Sequence, residues 1–250
     1  MKFLFFILFL GAPFSASAYF QMDMLKNKQT KKQATQWTLL DWLSQKNKMS
    51  LADSWLAMNT AANLFELNLS GAVGNFEIKS TDSAQVVTTI DQEAQTYQAE
   101  MYIAFVSLLG EYEATSTTIE TGEAYAGALG LRLFGTSSQT TSLVARYGLR
   151  KIRNLTTQES WENQFAEALL QLYVFRHFGF QGSYRHYFAG ESNLGTTLSG
   201  SRTSGGAFLE FFILRIFANA FQEPTERKAS DDSISKQDRS GVEVGLKLLF

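Results

Sequence analysis

The sequence predicts an all-β fold: an antiparallel up-and-down transmembrane β-barrel of about eight strands, with ten as the alternative, preceded by a short helical segment. Three observations predict it. In the last ten residues, Val242, Val244, Leu246, Leu248 and Phe250 share one face, while Glu243, Gly245 and Lys247 share the other; Leu249 is the exception. A period of two puts alternate side chains on opposite faces of a strand. The chain also opens with an export pattern, and after Ala18 it has no uncharged apolar stretch of the roughly 20 residues that a membrane helix needs. The best such stretch, residues 208–221, is interrupted by Glu210 and Arg215.

The export pattern is a basic start at Met1 and Lys2, an apolar run over residues 3–10, and the small-x-small sequence Ala16-Ser17-Ala18. Cleavage after Ala18 is expected, leaving a mature chain that starts at Tyr19. The chain has no cysteine, which excludes a lipoprotein anchor and a disulfide framework. A net charge of −2 and the lack of a basic-aromatic stripe give no hint of nucleic acid. A hydrophobic content of 45% is ordinary for a globular protein, but a barrel shows lipid only every second residue, so pattern must carry the argument.

Residues 19–60 have a helical texture. Lys26, Lys28, Lys31 and Lys32 form a basic patch, and Trp37, Trp42 and Trp55 are three of the four tryptophans. Ser50 and Asp53 have the form of a capping box ahead of Leu51, Trp55 and Met58 at helical spacing. Such a segment can lie along a membrane surface, indoles at the interface and lysines toward anionic headgroups. The alternative is a small helical hairpin that packs on the barrel base or on a partner.

Beyond residue 60 the texture changes to alternation, Gly and Ser/Thr-rich turns and frequent aromatics. Strands are expected near 62–80, 97–115, 123–135, 141–153, 164–177, 179–190, 205–221 and 241–250. The third sets Tyr125, Leu129, Leu131 and Leu133 against Ala126, Ala128, Gly130 and Arg132. The fourth sets Leu143, Ala145, Tyr147 and Leu149 against Val144, Arg146, Gly148 and Arg150. The fifth sets Ala168, Leu170, Leu172 and Val174 against Glu167, Leu169, Gln171 and Tyr173.

Two strands break phase. Phe76 and Ile78 do not follow Phe65, Leu67 and Leu69, and Glu210 and Arg215 have opposite parity within one apolar run. A bulge in each would restore the phase; a hairpin at residues 71–74 would also explain the first and would raise the count. An even count brings both termini to one side and puts the connections after odd strands on the other. The long polar stretch of residues 222–240 is then expected as a mobile outer loop, with too little apolar surface to offset ordering entropy. The connection over residues 191–204 is awkwardly long for the opposite, short-turn side.

These parities point Glu66, Glu111, Glu167, Glu210 and Glu243 inward together with Arg132, Arg146, Arg150, Arg185, Arg215 and Lys247. An eight-stranded lumen is just wide enough to be filled by side chains, and an unpaired buried charge costs several kcal/mol. A near-balanced set therefore predicts a closed, charge-paired lumen, whereas a selective pore would show rings of one sign. Catalytic groupings are thin. His177 and His186 are the two histidines; neither has the spacing of a zinc motif, and no catalytic, cofactor or metal residue is assigned.

The stretch over residues 61–250 resembles the small outer-membrane β-barrel proteins of Gram-negative bacteria. The resemblance rests on the export pattern, the alternating strands and the terminal Phe250, which is similar to their assembly signal. It implies an outer-membrane location, a periplasmic segment over residues 19–60, lipid and the assembly machinery as partners, a monomeric state, and a structural, adhesive or surface-protective role. Some barrels of this kind modify lipids. Lipid hydrolases of the group often place a serine two residues after a histidine, where this chain has Gly179 and Phe188. Acyl-transferring members use a His, an Asp and a Ser at the outer rim, for which this chain offers His177, Asp82 and Ser83. A lipid-modifying enzyme is thus the first alternative, and a small pore or a soluble periplasmic barrel binder the second.

Overall fold

The computed structural model describes residues 64–81, 86–118, 120–229 and 233–250. The expected export signal, the expected helical segment and the Asp82-Ser83 pair lie outside these residues. The described residues form ten strands: β1 (Phe65–Thr81), β2 (Val87–Ile103), β3 (Val106–Thr117), β4 (Thr121–Phe134), β5 (Ser142–Asn154), β6 (Ser160–Phe175), β7 (Phe178–Glu191), β8 (Thr197–Phe211), β9 (Leu214–Lys228) and β10 (Ile234–Leu249). Each pairs antiparallel with its chain neighbours, and β1 pairs with β10 to close the barrel. At that seam the Phe250 amide donates to the Leu67 carbonyl at 2.8 Å, and Leu67 donates back at 3.1 Å.

The count is the ten-strand alternative, not eight, and the two additional strands come from two hairpins that the sequence reading merged. The expected strand over 97–115 turns at Ala104 and Phe105; the one over 205–221 turns at Phe212 and Ile213. Ala104 has φ 53° and Phe212 φ 63°. Neither turn carries a Gly, Pro, Asn or Asp, the residues that ordinarily mark one. Left-handed backbone at such residues costs about 1–2 kcal/mol, a cost offset where both flanking strands are paired along their length. Glu210 and Arg215 have opposite parity because they face each other across the second turn.

The first strand needs neither a bulge nor a hairpin at 71–74. Its register to β2 is continuous from Phe65↔Ile103 to Thr81↔Val87. Phe76 and Ile78 are buried because they point inward, so the phase break marks an apolar patch inside the barrel. Residues 222–240 are mostly strand: β9 runs to Lys228 and β10 begins at Ile234, paired from Ile234↔Lys228 to Leu248↔Leu214.

With ten strands, one rim holds the start of β1, the end of β10 and the connections over 104–105, 135–141, 176–177 and 212–213; we call it the terminal rim. The far rim holds the connections over 82–86, 118–120, 155–159, 192–196 and 229–233. The long stretch after β7 therefore sits at the far rim, and most of it is β8. The connection over 135–141, expected on the outer side, is instead at the terminal rim.

Outside, the barrel wears an apolar band. Phe65, Phe175, Phe211 and Phe250 ring its terminal edge, and Tyr97, Tyr125, Tyr147 and Tyr184 ring its other edge, all exposed. Tyr97, Tyr112 and Tyr125 are directly opposed on β2, β3 and β4, with ring centroids 6.4 and 5.0 Å apart. From Tyr125 to Leu133 the band is about 20 Å tall, taking the rise per residue and the usual barrel tilt. Past the tyrosines the outer face turns polar, with Asp91, Glu93, Lys151, Glu162, Glu226 and Lys236.

Two glycines test this assignment of faces. A Cβ on Gly148 would point inward, collide with the Gly127 carbonyl oxygen and lie 2.6 Å from the Ala128 Cβ, whereas a Cβ on Gly110 meets nothing within 4 Å. Gly148→Val is expected to lower unfolding free energy by about 1–3 kcal/mol through overpacking, and Gly110→Val to stay within about 0.5 kcal/mol. Urea midpoints of the lipid-folded protein check this; equal effects would contradict the assigned faces.

The lumen as candidate functional site

All eleven charges expected to face inward do so, joined by Glu100, Glu113, Glu223, Arg202 and Arg239. Together they are eight acids and eight bases, arranged in layers across the barrel. Glu100, Arg202, Glu223 and Arg239 escaped the sequence reading because they lie on the parts of β2, β8, β9 and β10 that it merged or took as loop, whereas Glu113 lies on β3 in the same phase as Glu111.

The layer at the terminal rim is built around the connection over 135–141, which folds into the lumen. Thr136, Ser137, Ser138, Gln139 and Thr140 are all buried. Arg132 makes a two-pronged contact with Glu66 at 3.2 and 3.0 Å, and the Ser138 amide and hydroxyl donate to the same carboxylate at 2.8 and 2.5 Å. Beside it, Arg215 donates to Glu210 at 2.7 Å, to Gln171 at 2.6 Å and to the Ser138 carbonyl at 2.7 Å. Tyr173 donates to Glu210 as well. Gln171 in turn donates to the Ser138 and Thr140 carbonyls. A buried loop carries backbone groups that must find partners; here the charged layer supplies them.

The middle layer is a chain of alternating sign. Arg146 bridges Glu100 at 2.5 Å and Glu167 at 2.9 Å, and Arg185 bridges Glu167 at 3.2 Å and Glu111 at 2.9 Å. The upper layer spans five strands: Arg150 donates to Glu223 at 2.9 Å, Arg239 contacts Glu223 at 3.2 Å and Glu113 at 2.6 Å, and Arg202 meets Glu243 at 3.2 Å. Between these layers lies a chamber of about 110 Å³, lined in part by Lys247.

The inward aromatics serve as shelves for the guanidinium groups. Arg132 lies 4.1 Å from the Tyr102 ring centre, Arg202 4.2 Å from Phe221, Arg215 4.3 Å from Phe208, Arg239 4.4 Å from Phe76 and Arg185 4.6 Å from Phe165. Arg stacks on aromatic faces and forms planar pairs with carboxylates, so one side chain uses both its face and its edge. The out-of-phase Phe76 was the visible sign of this arrangement.

Above the upper layer the lumen widens into a vestibule of about 430 Å³ toward the far rim. Its wall includes Trp161, whose indole N–H donates to Thr196 at 3.1 Å, and Arg227, which pairs with Glu159 at 2.7 Å and lies 5.3 Å from the Trp161 ring.

The histidines stand apart from this interior. His177, expected at an outer end, sits in the turn between β6 and β7 at the terminal rim, with Nδ1 3.0 Å from the Glu210 carbonyl oxygen and its ring stacked on Phe211. The miscount of strands before it reversed its expected side. Thr81, which ends β1, lies at the far rim, opposite to His177. His186 points outward from β7, edge-on to Phe188 at 5.0 Å.

No protein-family model matches the chain, and no curated protein matches it. Among solved structures it is similar to the outer membrane protease OmpT from Escherichia coli, at 8% identity over 74% of this chain and 96% of that one, with a TM-score of 0.42. It is also similar to Neisserial surface protein A, at 9% identity over 74% and 97% with a TM-score of 0.33. A third is the translocator domain of the autotransporter NalP from Neisseria meningitidis, at 11% identity over 94% and 99% with a TM-score of 0.31. The chain thus resembles outer-membrane β-barrels, and at such TM-scores nothing of what those proteins do is carried over.

The layers make a stability prediction. Arg215→Met leaves Glu210 buried without its guanidinium partner and is expected to cost about 3–5 kcal/mol. Adding Glu210→Gln should recover part of that loss, because removing both charges leaves no uncompensated ion. Urea unfolding of the single and double variants in lipid checks it; strictly additive effects would mean that the two groups do not interact.

Proposed function

We propose that the chain is an exported outer-membrane β-barrel that crosses the lipid through its apolar band and keeps its lumen sealed, in a structural, adhesive or surface-protective role. The observation that carries this is the stack of ion-paired layers, closed at the terminal rim by the inturned connection over 135–141. A conducting path would require these pairs to separate, and each broken buried pair costs several kcal/mol. The outer band supports the membrane reading: its height of about 20 Å approaches the roughly 25 Å apolar band of such barrels, with aromatic rings at both edges.

In this reading the signal over residues 1–18 directs export, the segment over 19–60 is periplasmic and the terminal rim faces the periplasm. The far rim, with its polar outer wall, faces outward. The terminal Phe250, paired into the seam with β1, is the part that the assembly machinery reads, and the protein acts as a monomer. The separation of His177 from the far rim weighs against the lipid-modifying alternative.

Planar-bilayer recording of the purified full chain tests the closed lumen. The expected outcome is at most small, irregular current. A steady, ion-selective conductance would overturn the sealed-lumen reading.

A further inference from the structure

Seven of the eight lumenal bases have a carboxylate within salt-bridge distance; among the described residues, Lys247 has none. Its Nζ has no hydrogen-bond partner there either. Lys247 points inward from β10 and is only partly covered, and its ammonium keeps open surface on the chamber of about 110 Å³ between the middle and upper layers. The neighbouring strands offer no counter-charge. Across the seam Lys247 stands opposite Ser70 on β1, which stands opposite Gln98 on β2. On its other side it stands opposite a second cation, Arg215, whose donors are taken by Glu210, Gln171 and the Ser138 carbonyl. Like charges directly opposite each other on paired strands are destabilising.

The chamber wall carries the same imbalance. Its bases are Arg146, Arg185, Arg202 and Lys247, and its acids are Glu111, Glu167 and Glu243. Each of those acids already receives a guanidinium, Glu111 and Glu167 from Arg185 and Glu243 from Arg202. The surplus positive charge is therefore that of Lys247. An ammonium taken out of bulk water without a counter-charge is costly. Water in the chamber can satisfy its N–H groups but leaves its charge; an anion answers both. The Ser70 and Thr96 hydroxyls line the same chamber, have no partner in the protein and keep open surface, so each can turn its proton toward an anion. At roughly 30 Å³ per water, the space of 110 Å³ holds three or four bodies of that size. That fits a monatomic anion with two or three waters. A multiply charged oxyanion would meet only one surplus charge.

We propose that this chamber binds one halide ion, chloride in the natural setting, held by the Lys247 ammonium with the Ser70 and Thr96 hydroxyls beside it. The ion completes the charge pairing of the lumen. The proposal deepens the sealed-lumen reading and rests on it only for the layers that enclose the ion. Because those layers block both ends, the ion is taken up as the barrel folds and exchanges slowly afterwards.

The test uses the full chain folded into detergent in chloride, bromide or gluconate at one ionic strength. Crystals grown in bromide should show an anomalous bromine signal in the chamber, in contact with Lys247 Nζ. In urea unfolding, exchanging gluconate for chloride should raise the folding equilibrium constant, approaching tenfold for each tenfold rise in chloride once the site saturates. Lys247→Met strands no carboxylate and should remove this dependence. Ser70→Ala should weaken halide affinity roughly 3- to 10-fold, the worth of one hydrogen bond. Should Lys247→Met fail to fold, the bromine signal and the Ser70 variant still decide the matter. A chamber without a bromine signal, stability independent of chloride, or a chloride dependence that survives in Lys247→Met would overturn the proposal. Conductance reads the seal separately: a conducting barrel that holds the ion keeps this site and loses the seal, and a closed barrel without the ion does the reverse.

Discussion

The guanidinium–carboxylate pair on an aromatic shelf is the interaction on which the rest of this barrel depends. It recurs in every layer, from Arg132 with Glu66 over Tyr102 to Arg239 with Glu113 and Glu223 over Phe76. Each guanidinium is planar and presents several donors, so it can bridge two acids and still lie flat on a ring. Arg185 does both, over Phe165, and shares Glu167 with Arg146 between β5, β6 and β7. A ten-stranded lumen has more room than an eight-stranded one, and long Arg and Glu side chains reach across it where aliphatic ones would leave voids.

The same pairs fix the register. Slipping one strand by a single residue would turn every inward charge on it to the outer face, and a charged side chain facing lipid near the midplane costs about 2–4 kcal/mol. A slip would also strip its partners across the lumen of their counter-charges. Buried pairs are weak evidence for net stability; their larger consequence here is that one arrangement of strands satisfies all of them. The inturned connection over 135–141 belongs to the same logic, since Arg215 and Gln171 bind its carbonyls and Glu66 its amide. It is built of small uncharged residues that fit between charged layers.

How much was legible follows from where the code is local. Strand faces on β4, β5, β6 and the end of β10 were readable, because apolar outer residues alternate there with Gly, Ala and charged inner ones. The inward direction of Arg146, Arg150 and Glu167 followed from the same parity. The strand count was not readable at two hairpins, because Ala104-Phe105 and Phe212-Ile213 lack turn residues and lie in apolar runs. The polar ends of β9 and β10 read as loop because both of their faces are hydrophilic: the outer face stands beyond the apolar band, and the inner face builds the upper charged layer. Burial of Thr136 to Thr140 had no local sign, since a Ser/Thr-rich stretch is indistinguishable from a solvated loop until its partners are known.

The central claim, that layers of buried ion pairs close the lumen, is read most directly by side-chain NMR of arginine in the lipid-folded protein. The guanidinium protons of Arg146, Arg185 and Arg215 should appear as separate, slowly exchanging signals, because every nitrogen of each group donates to a buried partner. Arg153, half exposed on the outer wall, serves as the reference with averaged, fast-exchanging protons. Fast exchange at all three lumenal arginines, matching Arg153, would contradict the account.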